Sequence, residues 1–166
     1  MNEAVCLEDA REEDLPAIVQ LNRAAIPNVN DVDLEGMRQL LSKAIYFRTA
    51  RTENELSGFL IGPTPEADYA SPNFLWFKAR YPRFVYVDRI VVGETARTKR
   101  VGSRLYEDII SFAEALAPIL TCEVNLRPSN DVSLAFHAKH GFRQVGTQDT
   151  ESGNKTVALM VRDLGE

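Results

Sequence analysis

Arg97, Lys99, Arg100 and Gly102 fall together in "VVGETARTKRVGS", where a strand-like apolar run gives way to a helix-like one. A strand followed by a short loop and a helix start leaves backbone N–H groups without partners, beside the positive end of the helix dipole. Such a place holds anions. The cations add charge-assisted hydrogen bonds to phosphate oxygens, and the glycine lets an extended ligand approach the backbone. A diphosphate fits that geometry. The spacing differs from a P-loop, which needs a glycine-rich run ending in Gly-Lys-Ser/Thr, and from a dinucleotide fold, which needs three glycines. A solvated, charged helix cap is the plainer reading of the same residues.

Composition narrows what such an anion site serves. The 166 residues fit one domain, and with 45% hydrophobic residues the chain can bury a core. A net charge of −5 argues against nucleic acid or an anionic membrane as the main partner. The first residues, "MNEAVCLEDAREED", are acidic where a signal peptide is cationic and then apolar, and no apolar run is long enough to span a bilayer. A cytoplasmic location is the expectation. Cys6 and Cys122 lie far apart in strand-like contexts without metal-ligand spacing, so reduced, buried thiols and no metal site are expected.

The elements that must position the basic loop alternate between strand and helix signals, with no internal repeat. A short strand around Val5 to Leu7 precedes "EEDLPAIVQLNRAAI", whose early acids and proline and whose spaced Leu15, Ile18, Val19 and Leu21 predict a helix. A second helix is expected over Leu34 to Ala44. "IYFRTA" and "LSGFLIG", separated by the polar "RTEN", predict a hairpin. The segment after Gly62, "PTPEADYASPNFLWFKARYP", reads as a long aromatic-rich loop, and "RFVYVDRIVV" as one long central strand. The helix beginning near Arg100 buries a stripe of Val101, Leu105, Ile109, Ile110, Phe112 and Leu116. "ILTCEVNL" predicts a further strand, "SNDVSLAFHAKHG" a helix capped near Asn130 and stopped at Gly141, and "FRQVGTQ" and "KTVALMVRDL" the last two strands. The fold class is α/β.

The stretch "RTKRVG", Arg97 to Gly102, resembles the Q/R-x-x-G-x-G/A signature of the GNAT superfamily of acetyl-CoA-dependent N-acetyltransferases, with Arg100 in place of the first glycine. "SNDVSLAFHAKHGF" is similar to the family's N-x-x-A-x-x-x-Y-x-x-x-G-F segment, with Asn130, Phe136, Gly141 and Phe142 in register. The order of elements agrees across nearly the whole chain. The resemblance implies a mixed, mostly antiparallel sheet of six to seven strands with helices on both faces, splayed between strands 4 and 5. It implies acetyl-CoA as acetyl donor, CoA as product, and a primary amine as acceptor. Cofactor contacts carry over to the main chain of Ile90, Val91 and Val92, to Arg97, Thr98, Arg100, Val101, Gly102 and Ser103 around the pyrophosphate, and to Asn130 and His137 on the next helix.

Catalytic roles carry over to a carboxylate that takes the ammonium proton, Glu123 or Asp88, and to His137 where the family often has a tyrosine that protonates the departing thiolate. An imidazolium donating the proton, a neutral ring bonding the sulfur, and a histidine that only packs all stay open for His137. Each acid has the alternative of a strand carboxylate paired with an arginine such as Arg89. On the acceptor side, Asp68, Tyr69, Phe74, Trp76 and Tyr81 form an aromatic wall with an acidic entrance, or Trp76 and Phe77 pack into the core. The rival to an enzyme is a catalytically silent CoA-binding sensor or interaction module on the same fold. A homodimer is an expectation from the family.

Overall fold

The computed structural model describes residues 4–63 and 71–165. The chain divides into two compact units, Met1–Pro63 with Asp88–Ile109, and Thr64–Val87 with Ile110–Glu166. The expected single central strand is the point of division. It forms two short strands, β4 (Val85–Tyr86) and β5 (Arg89–Val92), which belong to different sheets. At the break the Val87 N–H donates to the Thr121 carbonyl and the Asp88 N–H to the Ile61 carbonyl, each at 2.8 Å. The ladder partner therefore changes within one residue.

The first unit holds β1 (Val5–Asp9), β2 (Tyr46–Thr52), β3 (Glu55–Gly62) and β5 in one antiparallel sheet of order β1-β2-β3-β5. Glu53 and Asn54 close the β2–β3 hairpin with φ of 52° and 66°, the left-handed pair whose twist matches that of the strands. Helix α1 (Leu15–Ala24) starts with a proline in its first turn, and α2 (Leu34–Lys43) is capped by Asp33, whose carboxylate accepts from the Gly36 N–H at 2.8 Å. Their apolar stripes place Leu15, Ile18, Val19 and Met37 against Phe47, Phe59, Ile61 and Val91 of the strands. Each such side chain contributes about 1.5–3 kcal/mol by leaving water. Cys6, expected to be buried, is exposed, because β1 ends the sheet and turns that residue outward.

The second unit holds β4, β6 (Ile119–Arg127), β7 (Arg143–Thr150) and β8 (Lys155–Asp163) in the order β4-β6-β8-β7. Only the β4–β6 pairing is parallel, so mixed but mostly antiparallel pairing holds, in two four-stranded sheets. The expected aromatic loop contains a helix, α3 (Pro72–Lys78), whose Phe74 and Phe77 are fully buried with Phe84, Tyr86, Ile119, Val157, Leu159 and Val161. Helix α4 (Val101–Glu114) runs from the first unit's residues into the second's. Helix α5 (Asp131–Lys139) is capped by Asn130, whose side-chain oxygen accepts from the Ser133 N–H at 3.3 Å, and it ends before Gly141 at φ 88°. No helix among the described residues is long and apolar enough to cross a membrane.

Candidate active site

Strand β5 is the last strand of its sheet, and its register against β3 decides which of its peptide groups point outward. Val91 stands opposite Phe59, and the Gly93 N–H continues the ladder to the Ser57 carbonyl at 2.8 Å. Because antiparallel bonding alternates, the peptides of Arg89, Val91 and Gly93 face β3, and those of Ile90 and Val92 face away from it. Ile90 and Val92 thus offer main-chain donors and acceptors to an extended ligand, as the sequence suggested. Val91 does not: its peptide is turned toward β3 and its side chain, 3% exposed, lies in the core.

After β5 the chain makes a 3-10 turn, Glu94–Lys99, anchored by buried Ala96, and then enters α4. Arg97, Thr98 and Arg100 are exposed, and Gly102 and Ser103 are half-buried in the first turn of the helix. That turn has no acidic residue. Val101 is fully buried, and a Cβ added at Gly58 would meet its Cγ1 at 3.0 Å and the Val91 carbonyl at 2.8 Å. The helix start is therefore seated directly on β3, with its leading N–H groups beside the basic turn. Arg100 has φ 61° and ψ 24°, the left-handed conformation that favours glycine. The backbone keeps the glycine-like bend while the side chain, 73% exposed, reaches Glu107 at 3.4 Å.

The two candidate bases differ. In the first unit, Asp88 accepts from Arg89 Nε at 2.7 Å, and both side chains are more than nine-tenths buried. The Arg89 guanidinium also donates to Asn22 Oδ1 at 3.1 Å and to the side-chain and main-chain oxygens of Asn30 at 2.8 and 3.2 Å. Asp88 is the counter-ion of a buried cation. In the second unit, Glu123 on β6 is half-buried and accepts from the Tyr86 hydroxyl at 2.7 Å. Burial first, and then the Glu123 charge, push the Tyr86 phenol well above its usual range. The pair is a neutral donor on a carboxylate.

Residues 15–142 match the Acetyltransferase (GNAT) family. The chain belongs to the GNAT family of acetyltransferases. Among solved structures it is similar to Ard1 from Thermoplasma volcanium, with TM-score 0.81, 17% identity, and coverage of 98% of this chain and 99% of that one. It is also similar to the ribosomal-protein-S18-alanine N-acetyltransferase from Escherichia coli, with TM-score 0.75, 15% identity, and coverage of 98% and 96%. A third is Chaetomium thermophilum Naa20 in complex with a bisubstrate analogue, with TM-score 0.75, 20% identity, and coverage of 96% and 86%. A comparison with curated protein sequences finds no match. As a GNAT enzyme the protein takes its acetyl group from acetyl-CoA and passes it to an amine. The outward peptides of Ile90 and Val92 and the acid-free basic helix start suit a pantetheine amide chain and a diphosphate, so the residues present fit this donor.

The tyrosine position of the GNAT motif departs in chemistry as well as in residue type. His137 is 3% exposed, packed edge-on against Phe136 and Phe142 at 5.7 and 5.3 Å. Its Nδ1 lies 2.7 Å from the Ser133 carbonyl oxygen, which can only accept, so Nδ1 carries the proton. Burial lowers its pKa to about 4, against the hydrogen bond to Ser133. Burial thus favours the neutral ring over the imidazolium at pH 7. His140 closes α5 as its C-cap, with its N–H on three carbonyls of the last turn.

Of the aromatic residues expected on the acceptor side, Phe74 is core, and Trp76 and Tyr81 are half-buried against that core. Phe74 is fully buried against Phe84 and Tyr86, at 5.7 and 5.4 Å between ring centroids. Trp76 lies over Gly146, where an added Cβ would meet its ring at 2.8 Å, with the Arg80 guanidinium 3.8 Å from the ring centroid. Tyr81 packs on the same cluster. The glycine in β7 is there because the indole needs the space. Asp68 and Tyr69 lie outside the described residues. Sequence reasoning missed Tyr86, whose signal was its place in "FVYVD", parallel to "LTCE" and within reach of Glu123.

Proposed function

We propose that the protein acetylates a primary amine, a small molecule or the N-terminus of a peptide, by direct attack in a ternary complex with Glu123 as general base. The observation that carries this is the Tyr86–Glu123 hydrogen bond, which gives a half-buried carboxylate a neutral partner in place of a cation. Bound acetyl-CoA supplies the thioester. Glu123 first takes the ammonium proton, the neutral nitrogen then bonds to the acetyl carbon as the C–S bond breaks, and the second nitrogen proton leaves to water, which in turn protonates the departing thiolate. The Ile90 N–H, turned away from β3, is the main-chain donor available for the developing oxyanion. Arg97, Thr98 and the leading amides of α4 hold the pyrophosphate. A peptide acceptor is favoured because similar structures include a ribosomal-protein-alanine N-acetyltransferase and Naa20.

The test is CoA release from acetyl-CoA with a panel of peptide N-termini and small amines, for wild type and Glu123→Gln. Turnover lost in the variant at unchanged acetyl-CoA affinity supports the proposal. Tight acetyl-CoA binding without turnover of any amine would instead make the protein a silent binding module.

A further inference from the structure

Resting on the reading of Glu123 as the base, we infer that Tyr86 is its positioning residue, with the aromatic cluster around α3 serving as the socket that aims the Tyr86 hydroxyl. Tyr86 is fully buried and stands opposite Thr121 in the parallel β4–β6 pairing. Glu123 is two residues further on, so it shares the Thr121 face of β6. The hydroxyl spans that step and donates to Oε2 at 2.7 Å. Phe74 meets the ring edge-on at 5.4 Å, and Phe77 lies 6.1 Å away. A ring held this way has one orientation, and its O–H points at one place. Ser71, the residue before α3, bonds the same hydroxyl from the other side, making a chain from Ser71 through Tyr86 to Glu123.

This chain fixes one oxygen of the carboxylate, and with it the orientation of the whole group. Burial and the Glu123 charge hold the phenol well above its usual range, so Tyr86 stays the donor of this bond at any working pH. Of the elements paired with β6, β4 brings Tyr86 to Glu123 and β8 sets the uncharged Leu159 opposite it. Cys122 is the adjoining titratable group in β6.

Tyr86→Phe removes the oxygen alone. In the ligand-free protein, carbon-13 NMR of the side-chain carboxyls follows Glu123, with its resonance assigned by its loss in Glu123→Gln. The midpoint of its titration is expected to rise in Tyr86→Phe, since the donor to the charged form is gone. With the amine that turns over fastest in the panel, kcat is expected to fall about tenfold at unchanged KM for acetyl-CoA, and the acid limb of the rate profile to move up with the NMR midpoint. Ser71→Ala should move both in the same direction by less. An unchanged midpoint and unchanged kcat in Tyr86→Phe would overturn the inference. Retained turnover in Glu123→Gln would overturn the base itself, and the NMR midpoint would then still report whether Tyr86 holds the carboxylate.

Discussion

Asp88, at the break between β4 and β5, and Glu123, on β6, are both carboxylates with a hydrogen-bonded partner, and the partner's charge separates the roles proposed for them. Asp88 faces a buried guanidinium that is itself tied to Asn22 and Asn30, so protonating it would strand a cation without a counter-ion. Glu123 faces a neutral phenol in a half-buried position, and on the proposed reading that neighbour stays neutral when the carboxylate takes the amine's proton. A buried arginine makes a carboxylate structural, and a buried tyrosine leaves it available for chemistry.

The largest effect tests the second half of that contrast. Glu123→Gln keeps the shape and the bond from Tyr86 but removes the base, and kcat is expected to fall roughly 10²–10⁴-fold. Steady-state kinetics on the best acceptor would show it, with thermal unfolding close to that of wild type. A loss of a few-fold only would return the base role to another group.

Asp88→Asn is the matching test of the first half. It leaves Arg89 buried without its anion, and the expected cost is about 3–5 kcal/mol in stability, measured by urea unfolding. Turnover per folded molecule should persist at low temperature. If stability is unaffected while turnover is abolished, the two carboxylates have exchanged roles.

His137 sharpens the comparison with a third buried group that has no counter-ion role. Its folded pKa, about 4, lies below its ordinary 6.5, so between those values the unfolded chain binds a proton that the folded chain does not. Stability is therefore complete above about pH 6.5 and falls as pH drops toward 4, by about 3 kcal/mol over that window. His137→Gln should flatten that part of the stability curve in urea titrations at pH 7 and pH 4.5. The activity profile should show no limb belonging to this ring, and one that disappears in His137→Gln would give it back a proton-transfer role.

These contrasts mark how much was legible beforehand. Periodicity carried most of the elements: the hairpin at Glu53–Asn54, the cap and stop of α5 and the buried Val101, Leu105 and Ile109 of α4 follow from turn residues and apolar spacing, whereas Ile110 and Phe112 are half-buried and Leu116, past the end of α4, is exposed. The break at Val87–Asp88 was hidden because "VYVDRIVV" alternates like one strand on both sides of it, and only the change of ladder partner divides it. Phe74 and Trp76 could be assigned to a binding wall or to the core, because aromatic residues serve both equally well in composition. The space that decides between them is set by Gly146, some seventy residues away in the chain. The pairing of Arg89 with Asp88 was legible as an alternative, but its burial was not, since the other hydrogen-bonded partners, Asn22 and Asn30, are distant in the chain.

Arg100 carries the smallest expected effect and separates backbone from side chain. The left-handed conformation costs a non-glycine residue on the order of 1 kcal/mol, partly offset by the smaller entropy loss of arginine on folding. Arg100→Gly should thus leave stability unchanged or raise it by about 0.5 kcal/mol, because the exposed contact to Glu107 contributes little. Arg100→Ala keeps the strained conformation and removes the charge. If the guanidinium swings from Glu107 to the pyrophosphate, both variants lose acetyl-CoA affinity in calorimetry, and the loss shrinks as salt is raised. If the bend is what the cofactor needs, Arg100→Gly binds like wild type and only Arg100→Ala weakens. The second result would mean that the loop keeps the geometry of the glycine signature without its glycine, with the cation as a surface addition.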